Sequence, residues 1–177
     1  ALVSAAATPA FNVITFAPAL SGQTITTLSR IDILDPSGVA IDGTALAKGI
    51  TINGAGGGFG LFLAQSPTHF RGLTFTRGGG TAGGALEVNQ QATVLMSRCT
   101  VCRNTTTGNG GAIAVSGFAV GLSQCTITGN VSSTSGGAIH VSISQRALLD
   151  QCTISGNAAI VSAAGINNLG QVTVMNC

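Results

Sequence analysis

A tetrapeptide that returns on a fixed beat constrains this chain more than any other feature. Gly83-Gly84-Ala85-Leu86 recurs as Gly110-Gly111-Ala112-Ile113 and Gly136-Gly137-Ala138-Ile139, and weakens to Ala163-Ala164-Gly165-Ile166, at steps of 27, 26 and 27 residues. A second column keeps the same period: Leu73, Cys99, Cys125, Cys152 and Cys177, at steps of 26, 26, 27 and 25. A repeat in this range marks a stacked architecture, because one unit cannot bury its apolar face alone.

The triplets Ile50-Thr51-Ile52, Leu73-Thr74-Phe75, Cys99-Thr100-Val101, Cys125-Thr126-Ile127 and Cys152-Thr153-Ile154 align between the repeats. They alternate apolar residues with Thr, so each reads as a strand with Thr facing outward. A second strand runs from each Gly-Gly-Ala-Ile into Val88, Val115 or Val141, and a third spans Ala92–Met96 or Phe118–Leu122. Turns carry Gly and Asn, as in Gly129-Asn130, which tolerate left-handed backbone angles. Three short strands in about 26 residues, with no helical periodicity, describe one coil of an all-β, right-handed parallel β-helix. With layers ~4.8 Å apart, five to seven coils make a rod roughly 25–35 Å long. Residues 1–48 are less regular and form the first coils or a cap, from the strand-like segments Phe11–Phe16, Gln23–Leu28, Arg30–Leu34 and Gly38–Ile41. Residues 49–177 are the regular coils of the same continuous domain.

Composition narrows the function. Only 7% of the residues are charged, against 45% hydrophobic, and 26 are Gly. The hydrophobic share is too high for a disordered chain, and a neutral polar surface suits layers in which like charges would stack and repel. Seven scattered Lys and Arg residues give a net charge of +2 without the basic stripe that nucleic acid requires. No stretch approaches ~18 consecutive apolar residues, so no transmembrane helix is expected. Residues 1–10 are small and uncharged and start with Ala1, as after removal of a secretion signal.

The repeats resemble those of the polymorphic outer-membrane proteins, secreted β-helical autotransporter passengers that pair Gly-Gly-Ala-Ile with Phe-x-x-Asn. The first tetrapeptide stands at 110–113 and 136–139, and nearly so at 83–86. The second stands as Val101-x-x-Asn104, Ile127-x-x-Asn130 and Ile154-x-x-Asn157, with the Phe replaced each time. The segment from Ile14 to Gly43 also resembles large bacterial surface β-helix proteins. The resemblance implies a β-helix displayed at the cell surface.

The candidate chemical groups fall in columns. Cys99, Cys125, Cys152 and Cys177 read as an inward thiol ladder of small hydrophobes; disulfides such as Cys99–Cys125 and Cys152–Cys177 are the alternative. Cys102 faces outward, and no metal or cofactor site is expected from it. Asn104, Asn130 and Asn157 read as a ladder of stacked amides, with glycosylation as the other reading of the sequons at Asn104 and Asn130. Arg77 and Arg103 lie one layer apart as solvated side chains, which an anionic partner such as a glycan acid could bridge. Asp32, Asp35 and Asp42 read as turn residues, Glu87 and Asp150 stand alone, and His69 and His140 occupy different columns. Polysaccharide-cleaving β-helices need clustered acids, so no enzyme is expected.

The leading expectation is thus a non-catalytic, secreted or cell-surface β-helix, structural or adhesin-like, assembling end to end and contacting surface glycans. A carbohydrate-binding or polysaccharide-cleaving β-helix is the alternative. The third is an ice-binding protein, from the outward file of Thr51, Thr74, Thr100, Thr126 and Thr153.

Overall fold

A computed structural model describes residues 11–177; the uncharged segment 1–10 lies outside the described residues. The chain winds through about six turns of a parallel solenoid with three main sheets. Sheet A has seven strands: Asn12–Thr15, Val39–Asp42, Thr68–Arg71, Thr93–Ser97, Ala119–Ser123, Arg146–Asp150 and Gln171–Met175. Sheet B has six: Thr24–Thr26, Ile50–Asn53, Leu73–Thr76, Thr100–Cys102, Thr126–Thr128 and Thr153–Ser155. Sheet C also has six: Ile31–Ile33, Phe62–Ala64, Leu86–Val88, Ile113–Val115, Ile139–Val141 and Ile166–Asn168.

Every repeat expected from the sequence stacks in register. Val101 pairs with Phe75 on one side and Ile127 on the other, and Ile127 with Ile154. The strands before residue 49 join the same sheets, with Asn12 beside Val39, Thr24 beside Thr51, and Ile31 beside Phe62. From the fourth coil onward the structure adds a strand to the three expected. Thr105–Thr106, Val131–Ser132 and Ala158–Ala159 form a short sheet D between sheets B and C. Among the described residues the only helical turn is a 3-10 turn at Pro18–Leu20, and no helix is long and apolar enough to cross a membrane.

Side-chain alternation fills the interior. Cys99, Cys125 and Cys152 are at most 2% exposed, and Thr100, Thr126 and Thr153 beside them face out. Phe62, Phe70 and Phe75 meet edge-on in the core, with ring centroids 5.0–5.7 Å apart, a favoured aromatic geometry. Ile127 is fully buried between two coils. Ile127→Ala should therefore cost about 2–5 kcal/mol as a large-to-small core change. Urea unfolding measures this as a lower midpoint at unchanged slope.

A corner of left-handed residues turns the chain from sheet A into sheet B. Gly22, Gly49 and Gly72 occupy it in the first coils, followed by Arg98, Gln124, Gln151 and Asn176, all at φ between 51° and 77°. The long polar side chains accept a costly backbone angle there, and Gln124 donates to Gln151 at 3.0 Å along the stack.

Candidate functional site

The Asn column lies where sheet B turns into sheet D. Asn104 Nδ2 donates to Asn130 Oδ1 at 2.9 Å, and Asn130 Nδ2 donates to Asn157 Oδ1 at 2.9 Å. Each of those oxygens also accepts a backbone N–H, of Asn104 at 3.0 Å and Asn130 at 2.9 Å. The remaining amide hydrogens go to carbonyls one layer back: Phe75 from Asn104, Val101 from Asn130 and Ile127 from Asn157. Asn104 and Asn130 are fully buried. Glycan attachment at either sequon would have to precede folding and would break the ladder.

The cysteine column lies inside. The Cys99 thiol donates to Phe70 O at 3.5 Å and the Cys125 thiol to Met96 O at 3.5 Å, each one coil back. The hydrogen bond between the two thiols lowers Cys99 and, together with burial, raises Cys125, while burial pushes Cys152 up to about 11. Thiols held protonated are poor nucleophiles. Cys177 keeps the column, its sulfur accepting Cys152 N–H at 3.1 Å, and is exposed. Cys102 faces outward on sheet B between Thr76 and Thr128.

The five carboxylates all have structural partners. Asp35 accepts Asn12 Nδ2 at 2.7 Å and caps its own turn through Ser37 N–H. Asp42 accepts the Thr44 hydroxyl at 2.6 Å, which with Arg71 at 3.6 Å holds its carboxyl below the usual range. Asp150 accepts Asn176 Nδ2 at 3.0 Å. Sheet C places Asp32, Leu63 and Glu87 in one outward column. Arg30 joins the two acids, at 2.7 Å to Asp32 and 3.8 Å to Glu87. These three line a cleft of ≈ 380 Å³ with Ser29, Phe59 and Thr81. The sequence columns, counted from the regular repeats, miss this pairing because Asp32 lies in the irregular first coil.

The two histidines stay apart. His69 faces out on sheet A with its ring 5.0 Å from Phe11, and His140 is buried on sheet C with Nδ1 3.1 Å from Asn167 Nδ2. Burial lowers both imidazole pKa values. Among the described residues no group of three His, Cys, Asp or Glu side chains is arranged to hold a metal ion. Sheet A carries a second depression of ≈ 380 Å³, a groove where Gly121 lies between Leu95 and Leu148.

The Thr file of sheet B is longer than the repeats announce. Thr24 extends it to six in unbroken register: Thr24, Thr51, Thr74, Thr100, Thr126 and Thr153. The neighbouring outward file is mixed, with Thr26, Asn53, Thr76, Cys102, Thr128 and Ser155.

Two segments, 98–116 and 124–142, match the Chlamydia polymorphic membrane protein repeat. Each starts at the left-handed corner and runs through a strand of sheet B, the ladder Asn and sheet D to a strand of sheet C. No curated protein and no solved structure matches the chain. Two coils of the solenoid thus carry repeats like those of the Chlamydia polymorphic membrane proteins, a likeness that points to a surface-associated structural or adhesin-like β-helix.

Proposed function

We propose that this chain is a non-catalytic, secreted or cell-surface β-helix that serves as a structural or adhesin-type module and assembles head to tail. The observation that carries the reading is the use made of its reactive groups. The core thiols and ladder amides hold coil to coil, and the carboxylates anchor turns or pair with arginines. The likeness to a surface-protein repeat supports the same reading.

Head-to-tail assembly rests on the architecture: each coil pairs in parallel with its neighbours and packs its apolar interior on them, so a second copy of the chain can add to the stack as a further coil does. Unlike ends in contact give a heterologous interface that grows into a filament when it does not close. Sedimentation of the chain at rising concentration should show growing rods. A monomer at every concentration would refute the assembly.

Two further readings each have one observation in their favour. Asp32 and Glu87 share a cleft, as a polysaccharide-cleaving site would need, yet Arg30 takes both Asp32 oxygens, at 2.7 and 3.4 Å. Turnover of a polysaccharide that is lost in Glu87→Ala would favour this reading over the structural one. The six-Thr file favours ice binding, and thermal hysteresis would reveal it.

A further inference from the structure

We propose that sheet B is the face on which this rod takes an extended acidic glycan, one bearing uronate or sulfate groups. The inference deepens the adhesin-like reading by giving it a partner class and a surface, and it rests on that reading.

The charges of the molecule are sorted by face. Among the described residues no acid lies on sheet B: Asp32 and Glu87 are on sheet C, Asp42 and Asp150 end strands of sheet A at the corner that leads into sheet B, and Asp35 is in the turn between sheets C and A. Of the seven cations, Arg30 and Arg71 are held by those acids, and Arg146 lies over the Phe118 ring at 5.7 Å. The other four, Lys48, Arg77, Arg98 and Arg103, are exposed and form no ion pair with the described residues. All four border sheet B. Lys48 and Arg98 stand two coils apart where the chain enters it, and Arg77 and Arg103 stand one coil apart where the chain leaves it. Arg77, Arg98 and Arg103 are fixed at left-handed corner angles of 51–55°, so their backbone is set before any partner arrives.

Between these two basic edges the surface is a sheet of small polar groups. Across coils two to four the outward positions are Thr51, Asn53, Thr74, Thr76, Thr100 and Cys102. Thr51, Thr74, Thr76 and Thr100 are half-exposed, and their hydroxyls have no hydrogen-bond partner among the described residues. Free hydroxyls in a row match the donors and acceptors of sugars. Basic residues at the rim supply attraction to an anion without a buried charge. In a polyuronate every sugar carries a carboxylate, spaced on the order of the ~4.8 Å strand separation, so the one-coil step from Arg77 to Arg103 can be met by successive charges. The outward file offers no aromatic ring on which a base could stack, which argues against single-stranded nucleic acid. It offers no apolar side chain to enter a bilayer either, which argues against a lipid surface.

Binding of the chain to immobilised heparin, polygalacturonate and neutral dextran tests the proposal across a salt series. Heparin or polygalacturonate should bind, dextran should not, and affinity should fall as salt rises. Whichever acidic polymer binds more tightly identifies sulfate or carboxylate as the preferred group. The double variant Arg77→Gln/Arg103→Gln should weaken binding about tenfold or more and flatten the salt dependence. Arg146→Gln, on sheet A, should leave binding unchanged, and circular dichroism confirms that both variants keep the β-fold. Equal loss in both variants, unchanged binding in the double variant, or no binding to either acidic polymer would overturn the proposal. So would tighter binding to poly(dT) or to anionic phosphatidylserine vesicles. Sedimentation of the same samples reads self-association independently. Rods that grow without binding a glycan would sink this inference and leave the structural reading standing.

Discussion

Asn130→Leu is expected to remove about 2–6 kcal/mol of stability, at ~1–3 kcal/mol for each buried polar group left without a partner. Leucine keeps the branched shape, though it is larger, and deletes every side-chain hydrogen bond. The Asn104 backbone N–H loses its acceptor, Asn130 Oδ1, at 3.0 Å, and the Val101 carbonyl loses its donor, Asn130 Nδ2, at 2.9 Å. Both lie where Asn104 and Asn130 are fully buried, so water cannot replace the lost partner. Native domains hold about 5–15 kcal/mol in all, so the change takes a large part of the whole. Asn157→Leu also takes an acceptor from the Asn130 backbone N–H and Nδ2, but at a half-buried rung that water reaches, so it should cost less, about 1–3 kcal/mol. Urea unfolding of the two variants provides the comparison. Equal losses, or less than about 1 kcal/mol at Asn130, would show that the ladder is not a buried network.

That ladder was legible in the sequence because Asn104, Asn130 and Asn157 keep the same distance from the Cys column in each coil. Wherever a motif fixes the register, the position of every neighbour follows, and so the thiol column and the Thr file were readable too. What escaped lacks such a marker. Sheet D consists of pairs such as Thr105–Thr106 and Val131–Ser132, too short for an alternation to show. Two of its three inward residues are polar, Thr106 and Ser132, buried and hydrogen-bonded to Gly80 O and Gly108 O. The corner escaped because its left-handed angles fall on Arg98, Gln124 and Gln151, residues that carry no turn signal. Thr24 and Asp32 lie in coils whose loops differ in length from the regular ones. Their membership of the Thr file and of the Glu87 column is visible only once the strands are paired.

The basic border of sheet B combines both cases. Arg77 and Arg103 fall on one column and were seen as neighbours. Lys48 and Arg98 come from an irregular coil and an unrecognised corner, so only the paired strands place all four around one face.

The same coil geometry explains why the second Gly of each Gly-Gly-Ala-Ile is Gly, and it yields the strongest expected loss of fold. A side chain at Gly111 would overlap the Gly137 carbonyl oxygen in the next coil and the Val131 backbone of sheet D. Gly84 and Gly137 meet the same obstruction, from Gly111 O and Thr105 in one case and from Ala164 O and Ala158 in the other. These atoms are backbone held in ladders, so they cannot turn aside as a flexible side chain would. Gly111→Val should therefore cost at least about 3 kcal/mol, the upper range for overpacking, and should push two coils apart. Two other glycines separate this crowding from loss of backbone freedom. Gly129 has open space around it and φ of 64°, so Gly129→Ala should cost only the ~1–2 kcal/mol of a left-handed angle. Gly165 has neither obstruction nor a positive angle, so Gly165→Ala should be neutral or stabilise by up to ~1 kcal/mol. Urea midpoints should fall in the order Gly165→Ala, Gly129→Ala, Gly111→Val. If Gly111→Val unfolds no more easily than Gly129→Ala, the tetrapeptide is not set by contact between coils, and turn conformation alone accounts for it.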